Sequence, residues 1–196
     1  MSAHHKKFYF VMMWLLLCWW PQESSSLQAQ VVTARAGVVT RAEGEVFYQH
    51  RGEEPVRQLQ IGVKLTDGDT VITKPGGRAE WSLTPDSFLQ VGADSSVRVY
   101  ELGSGQMHFD VERGEVYVIV RSLEKRGSLI VHAPPGLLTV YKPGRYRVRV
   151  AANGDTDAAV AKGELSYVDA KGNLIRVGTR KEVHFFTGEK KIVHGP

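Results

Sequence analysis

Met107-His108-Phe109-Asp110-Val111-Glu112-Arg113-Gly114-Glu115-Val116-Tyr117-Val118-Ile119-Val120 sets the reading of the chain. Met107, Phe109 and Val111 alternate with His108 and Asp110, and Val116, Val118 and Val120 alternate with Tyr117 and Ile119. A period of two places successive side chains on opposite faces of a strand, whereas a helix repeats about every 3.6 residues. Both faces of the second half are apolar, which predicts a strand covered on both sides. The alternation recurs outward from here. Val97 and Val99 flank Arg98, and Tyr146, Val148 and Val150 alternate with Arg145, Arg147 and Arg149. No long helical period follows Pro21, so almost no helix is expected.

Turn chemistry separates these runs. Asp67-Gly68-Asp69, Lys74-Pro75-Gly76-Gly77, Pro85-Asp86-Ser87, Gly103-Ser104-Gly105, Pro134-Pro135-Gly136, Asn153-Gly154-Asp155 and Lys171-Gly172-Asn173 combine residues that accept positive φ with proline, which presets φ. Short β runs punctuated in this way predict a single all-β domain of about a dozen strands, as a β-sandwich or a solenoid-like stack. One echo recurs at unequal spacing: Gly44-Glu45-Val46, Gly114-Glu115-Val116 and Gly163-Glu164-Leu165. Each reads as a strand opener in which glycine makes a bend or bulge.

The first residues differ from the rest. His4, His5, Lys6 and Lys7 precede an unbroken apolar run from Phe8 to Trp20, closed by Pro21 and the polar Gln22-Glu23-Ser24-Ser25-Ser26. This order is that of an export signal over residues 1–29, with cleavage after Ser26 or at Ala29. The run is shorter than the roughly 20 residues that span a bilayer, so an uncleaved membrane anchor is the lesser reading. Residues 30–196 form the expected β domain. Cys18, the one cysteine, falls inside the signal, which leaves no disulfide framework and no cysteine metal site. Without Lys6, Lys7 and Glu23 there are 23 basic and 20 acidic residues, a net of +3 with no dense basic cluster, which argues against nucleic acid.

Taken in order, these segments resemble the FecR-like domain family, named after the regulator of iron-dicitrate transport. The likeness runs over residues 36–168 and rests on Gly44-Glu45-Val46, Leu65-Thr66-Asp67-Gly68-Asp69-Thr70-Val71-Ile72-Thr73, Gly77-Arg78-Ala79-Glu80-Trp81-Ser82-Leu83, Pro85-Asp86-Ser87-Phe88-Leu89-Gln90-Val91, Gly114-Glu115-Val116-Tyr117-Val118 and Val131-His132-Ala133-Pro134 with the hairpin beyond. Two turns depart from the family pattern: Asp86-Ser87 lacks the usual glycine, and Lys142-Pro143-Gly144-Arg145 replaces a Gly-Thr step. The resemblance implies the fold and a periplasmic or secreted setting. Transmembrane regulators of this family carry a cytoplasmic anti-sigma segment, and only seven residues precede the apolar run here, so a sigma-factor role is not part of the expectation.

No catalytic constellation is legible. Four histidines, His108, His132, His184 and His194, show no metal-ligand spacing. Asp67 with Asp69 and Asp155 with Asp157 read as turn-capping carboxylates. No nucleophile elbow, phosphate loop or dinucleotide fingerprint appears, so neither catalysis nor a cofactor or metal is expected. The candidate surface is Arg145, Arg147 and Arg149, three guanidinium groups on one strand face about 7 Å apart, suited to a polyanion or an acidic partner. The expected function is non-enzymatic: recognition of an envelope or extracellular protein, sensing or scaffolding. The alternative is a carbohydrate or peptidoglycan module that stacks sugars on Trp81, Tyr100, Tyr117, Tyr141 and Tyr167.

Overall fold

The computed structural model describes residues 36–51, 53–103, 105–124, 127–134, 136–169, 171–186 and the backbone of 190–191. The expected export signal, Cys18 and His194 lie outside the described residues. Sixteen strands and no helix are formed among the described residues. In chain order they are β1 (Val39–Glu43), β2 (Val46–Gln49), β3 (Arg57–Gln58), β4 (Thr70–Thr73), β5 (Arg78–Thr84) and β6 (Ser87–Val91). There follow β7 (Ser96–Leu102), β8 (Gln106–Val120), β9 (Ser128–Ala133), β10 (Gly136–Val140) and β11 (Gly144–Val150). The last are β12 (Thr156–Lys162), β13 (Glu164–Asp169), β14 (Leu174–Gly178), β15 (Lys181–Phe185) and β16 (Lys190–Lys191).

The strands form two sheets joined through β8, in the sandwich arrangement rather than a regular solenoid. Sheet I runs β1-β5-β6-β8-β11-β12-β15-β16, and sheet II runs β3-β2-β4-β7-β8-β9-β10-β13-β14. Every pair is antiparallel except β8 with β9. The first half of β8 pairs in sheet II with β7 and β9, and the second half pairs in sheet I with β6 and β11. Side chains from both sheets meet in one core. Trp81 of sheet I lies against Phe109 of sheet II with ring centroids 6.1 Å apart, and Tyr167 stacks on Phe185 across the sandwich at 3.6 Å.

The parity of β8 shows how it serves both layers. Its buried positions are Met107, Phe109 and Val111, then Val116, Val118 and Val120, so the inward side moves from odd to even numbers. In a straight strand this shift would turn one half of the apolar set to water. Here Ser96 pairs with Arg113 and Val97 with Val111, which makes Glu112 the extra residue of a bulge. At the adjacent Gly114, φ is +93°, and the strand turns into the facing sheet, so both halves keep their apolar side on the same core. The expected burial of both faces of the second half does not hold. Tyr117 is 41% exposed and Ile119 half-buried, because in a two-layer sandwich the outer face of each sheet meets solvent.

The other Gly-Glu steps do the same work. Gly44 carries the chain from β1 in sheet I to β2 in sheet II, and Gly163 carries it from β12 in sheet I to β13 in sheet II, both at positive φ. Around Gly114 neighbouring crossings are hydrogen-bonded into a seam. The Ser95 amide donates to Thr73 Oγ1 (2.9 Å), Thr73 Oγ1 donates to Gly92 O (2.6 Å), and the Gly92 amide donates to Glu115 O (2.8 Å). Ser95 Oγ accepts from the Glu115 amide at 3.0 Å. At Gly163 the Tyr146 hydroxyl plays the matching part: it donates to Lys142 O (2.7 Å) and accepts from the Glu164 amide (3.3 Å). Burial pushes the Tyr146 phenol up from its ordinary value.

A side chain at Gly114 meets two penalties. Its Cβ would lie 2.1 Å from Ser95 Oγ and 2.5 Å from Ser95 Cα, on top of the left-handed backbone. At Gly172, also at positive φ, a Cβ has nothing within 4 Å. Gly114→Ala is therefore expected to cost about 3 kcal/mol and Gly172→Ala only about 1 kcal/mol. Urea denaturation of both variants checks this, and equal losses would contradict the seam.

Candidate functional site

The candidate arginines stand on β11, on the outer face of sheet I. Across that face Glu80, Gln90, Tyr117, Arg147, Ala159 and Glu182 occupy one register row. Thr40 Oγ1 donates to Glu80 Oε1 (2.6 Å), and Gln90 Nε2 donates to Glu80 Oε2 (2.7 Å). The Tyr117 hydroxyl donates to Glu115 Oε1 at 2.7 Å; this bond first, and burial second, holds the phenol above its ordinary value. Arg147 is paired with Glu182 through Nη2, and its Nε lies 3.7 Å from Glu115 Oε1. The expected arginine row is thus present, but its members differ. Arg147 is half-buried and balanced by two carboxylates, whereas Arg145 and Arg149 are exposed and have no ion pair among the described residues.

Arg145 leads into a feature that periodicity did not reveal. Where the ends of β8 and β12 flank the start of β11, an open cleft of about 620 Å³ brings Arg145 together with Arg121, Lys162 and Asp86, with Ile119 and Pro143 also in its lining. Arg121 lies just past β8 and Lys162 closes β12, so no common repeat links the three cations. The Asp86 carboxylate is engaged by its own corner: Thr84 Oγ1 (2.8 Å), Ser122 Oγ (2.8 Å) and Ser87 Oγ (3.3 Å) all donate to Oδ1. This is what the Pro85-Asp86-Ser87 turn builds.

The remaining candidates fall elsewhere. On the outer face of sheet II, Asp110 Oδ1 lies 3.2 Å from His132 Nδ1 and 3.8 Å from His108 Nε2, and Tyr100 packs on the His108 ring at 4.6 Å. Sequence spacing did not predict that His108 and His132 share one carboxylate; cross-strand pairing of Asp110 with His132 produces it. Among the described residues no group of three or more His, Cys, Asp or Glu is arranged to hold a metal. His184 Nδ1 pairs with Asp157 on sheet I. Asp67 Oδ1 accepts from the Leu102 amide (3.0 Å), and buried Asp69 accepts from the Thr66 amide (2.8 Å) and bonds His50 Nδ1 (2.6 Å). Both carboxylates therefore tie turns, as does Asp155, which accepts from Asn153 Nδ2 (2.7 Å). Asp157 is the exception, set on a strand rather than in the turn.

The aromatic residues weighed as a sugar platform do not share a surface. Trp81 and Tyr167 are core residues. Tyr117 looks out from sheet I, Tyr100 from sheet II, and Tyr141 stands at the β10–β11 crossing. Burial pushes the Tyr167 phenol up to about 12.

The fold defines an all-β sandwich with a charged outer face on one sheet. Residues 69–166, half of the chain, match the family described as FecR protein, and the chain belongs to that family. The match begins later than the resemblance over residues 36–168 and ends close to it. Two crystal structures of a proposed anti-sigma factor from Parabacteroides distasonis share the fold with a TM-score of 0.53 at 16% identity. The likeness covers 63% of this chain and 57% of theirs, so it spans little more than half the length of those proteins. A comparison with curated proteins finds no match.

Asp86 supplies a test of this corner. Burial opposes its ionisation, but hydrogen bonds from Ser122, Thr84 and Ser87 outweigh that and hold the carboxyl below its ordinary 3.8. A folded value depressed below the unfolded one means that ionised Asp86 stabilises the fold above the unfolded value. That contribution is lost as pH falls through the folded value. Asp86→Asn is expected to lower the urea midpoint at neutral pH and to flatten its decline below about pH 4. Parallel pH profiles for parent and variant would refute the role of Asp86.

Proposed function

We propose that this chain is an exported, non-catalytic FecR domain that recognises a protein partner in the bacterial envelope or outside the cell. The outer face of sheet I is the recognition surface. One observation carries the reading: on β11, Arg147 is held between Glu115 and Glu182, while Arg145 and Arg149 on either side are exposed and unpaired among the described residues. A fixed polar lattice thereby presents two free guanidinium groups beside the exposed ring of Tyr117. Arginine and tyrosine are the residue types enriched where proteins meet, because each couples contact area with directional hydrogen bonds. Membership of the FecR family supports a sensing or signalling context. The basic-apolar-polar order of residues 1–29 supports export.

Two measurements test the proposal. Residues 1–29 fused to a signal-less alkaline phosphatase are expected to give active enzyme outside the cytoplasm, and an inactive fusion would rule out export. A photo-crosslinker at Arg149 or Tyr117 in the full chain is expected to yield a discrete protein adduct in intact cells, while one at Leu137 on sheet II yields none. Adducts from Leu137 alone would place recognition on the other sheet.

A further inference from the structure

We propose that the cleft between the ends of β8 and β12 and the start of β11 is the anchor point for an acidic peptide segment of that partner. The inference rests on the partner-recognition reading and narrows it from a sheet face to one site.

Arg121, Arg145 and Lys162 line the cleft, all exposed, and none has a carboxylate within ion-pair distance among the described residues. Arg145 is in direct cross-strand register with Lys162 on one side and with Ile119 on the other. Like charges set directly opposite each other are unfavourable on a sheet, so a ligand that places anions between them gains this repulsion as well as its own pairing. The backbone holds the two strands close. A Cβ at Gly144 would lie 2.1 Å from Lys162 O, so glycine lets the start of β11 press onto the end of β12.

Asp86 offsets one of the three positive charges and is not paired with any of them. Three hydroxyls already claim its Oδ1, and the site keeps three cations against one anion that is committed to its own turn. Arg147, two residues along, shows the opposite solution, since the fold itself supplies its counter-charges. Ile119, Val120 and Pro143 add apolar lining to the cleft. Cations beside apolar side chains in one cleft suit a segment in which carboxylate and apolar side chains alternate. A compact phosphate would pair with the cations and leave the apolar lining uncovered. The volume of about 620 Å³ accommodates a few side chains of such a segment.

The probe is a dye-labelled peptide of alternating Glu and Leu, followed by fluorescence anisotropy with the purified protein at about 0.15 M salt, where the screening length is about 8 Å. The Glu/Leu peptide is expected to bind and its Gln/Leu counterpart not. Arg121→Glu with Arg145→Glu is expected to weaken binding by about tenfold or more, and Lys162→Gln by about threefold. Arg176→Glu, exposed on β14 of sheet II and away from the cleft, leaves it within about twofold, because exposed charges at a distance are screened. Unchanged melting temperatures show that the variants are folded, and Lys162→Gln tests the site without charge reversal. Equal weakening by Arg176→Glu would assign binding to the net charge of the protein and overturn the cleft. Equal binding of the Gln/Leu peptide would also overturn it. Displacement of the peptide by inositol hexakisphosphate at a lower concentration than by unlabelled peptide would make the ligand a phosphate instead. Absence of Glu/Leu binding with a positive crosslink at Arg149 or Tyr117 would overturn the cleft and leave partner recognition standing.

Discussion

Gly114 sits at φ +93° with Ser95 packed where its side chain would begin, and the two-layer fold turns on that contact. A strand of fifteen residues is shared by two facing sheets only if it bends sharply without exposing its backbone. The bulge at Glu112 supplies the extra residue, the glycine supplies the conformation, and Ser95 and Thr73 satisfy amides that the bend removes from the ladder. Unpaired buried amides are costly, so without these hydroxyls the crossing would open. Ser95 is fully buried, which marks its hydroxyl as structural.

The corner also decides what the candidate site contains. Because parity changes at Gly114, Glu115 and Tyr117 fall on the outer face of sheet I, in register with Arg149 and Arg147. With the parity of the first half retained, Val116 and Val118 would face those arginines instead. The charge lattice around Arg147 is thus a consequence of the bulge. At its other end, the tight passage through Gly144 brings Arg145 beside Lys162.

Much of the fold was legible in the sequence because alternation and turn residues are local signals. The strands at 97–99, 107–120 and 146–150 followed from them, and so did the bend glycines of the three Gly-Glu steps. That each step changes sheets was hidden, since crossing depends on which strands pair, and those pairings join residues far apart in sequence. Double-sided burial of Val116–Val120 was expected from an apolar run, yet an outer-face Tyr and Ile, partly covered by neighbouring rows, produce the same string. Periodicity placed the three arginines on one face but carried no information about Glu182, 35 residues beyond Arg147. Arg121 and Lys162 gave no signal at all, because one follows a strand, the other ends one, and only the register of β8, β11 and β12 unites them.

The seam at Gly114 is most directly tested by native-state hydrogen exchange of the amides it uses. Those of Gly92, Ser95 and Glu115 donate to Glu115 O, Thr73 Oγ1 and Ser95 Oγ. If the crossing locks both sheets into one cooperative unit, these amides exchange with the same free energy as those of Phe109 and Val118 in the two halves of β8. Seam amides that exchange orders of magnitude faster, while both halves of β8 stay protected, would show that the corner opens on its own and that the sheets do not depend on it.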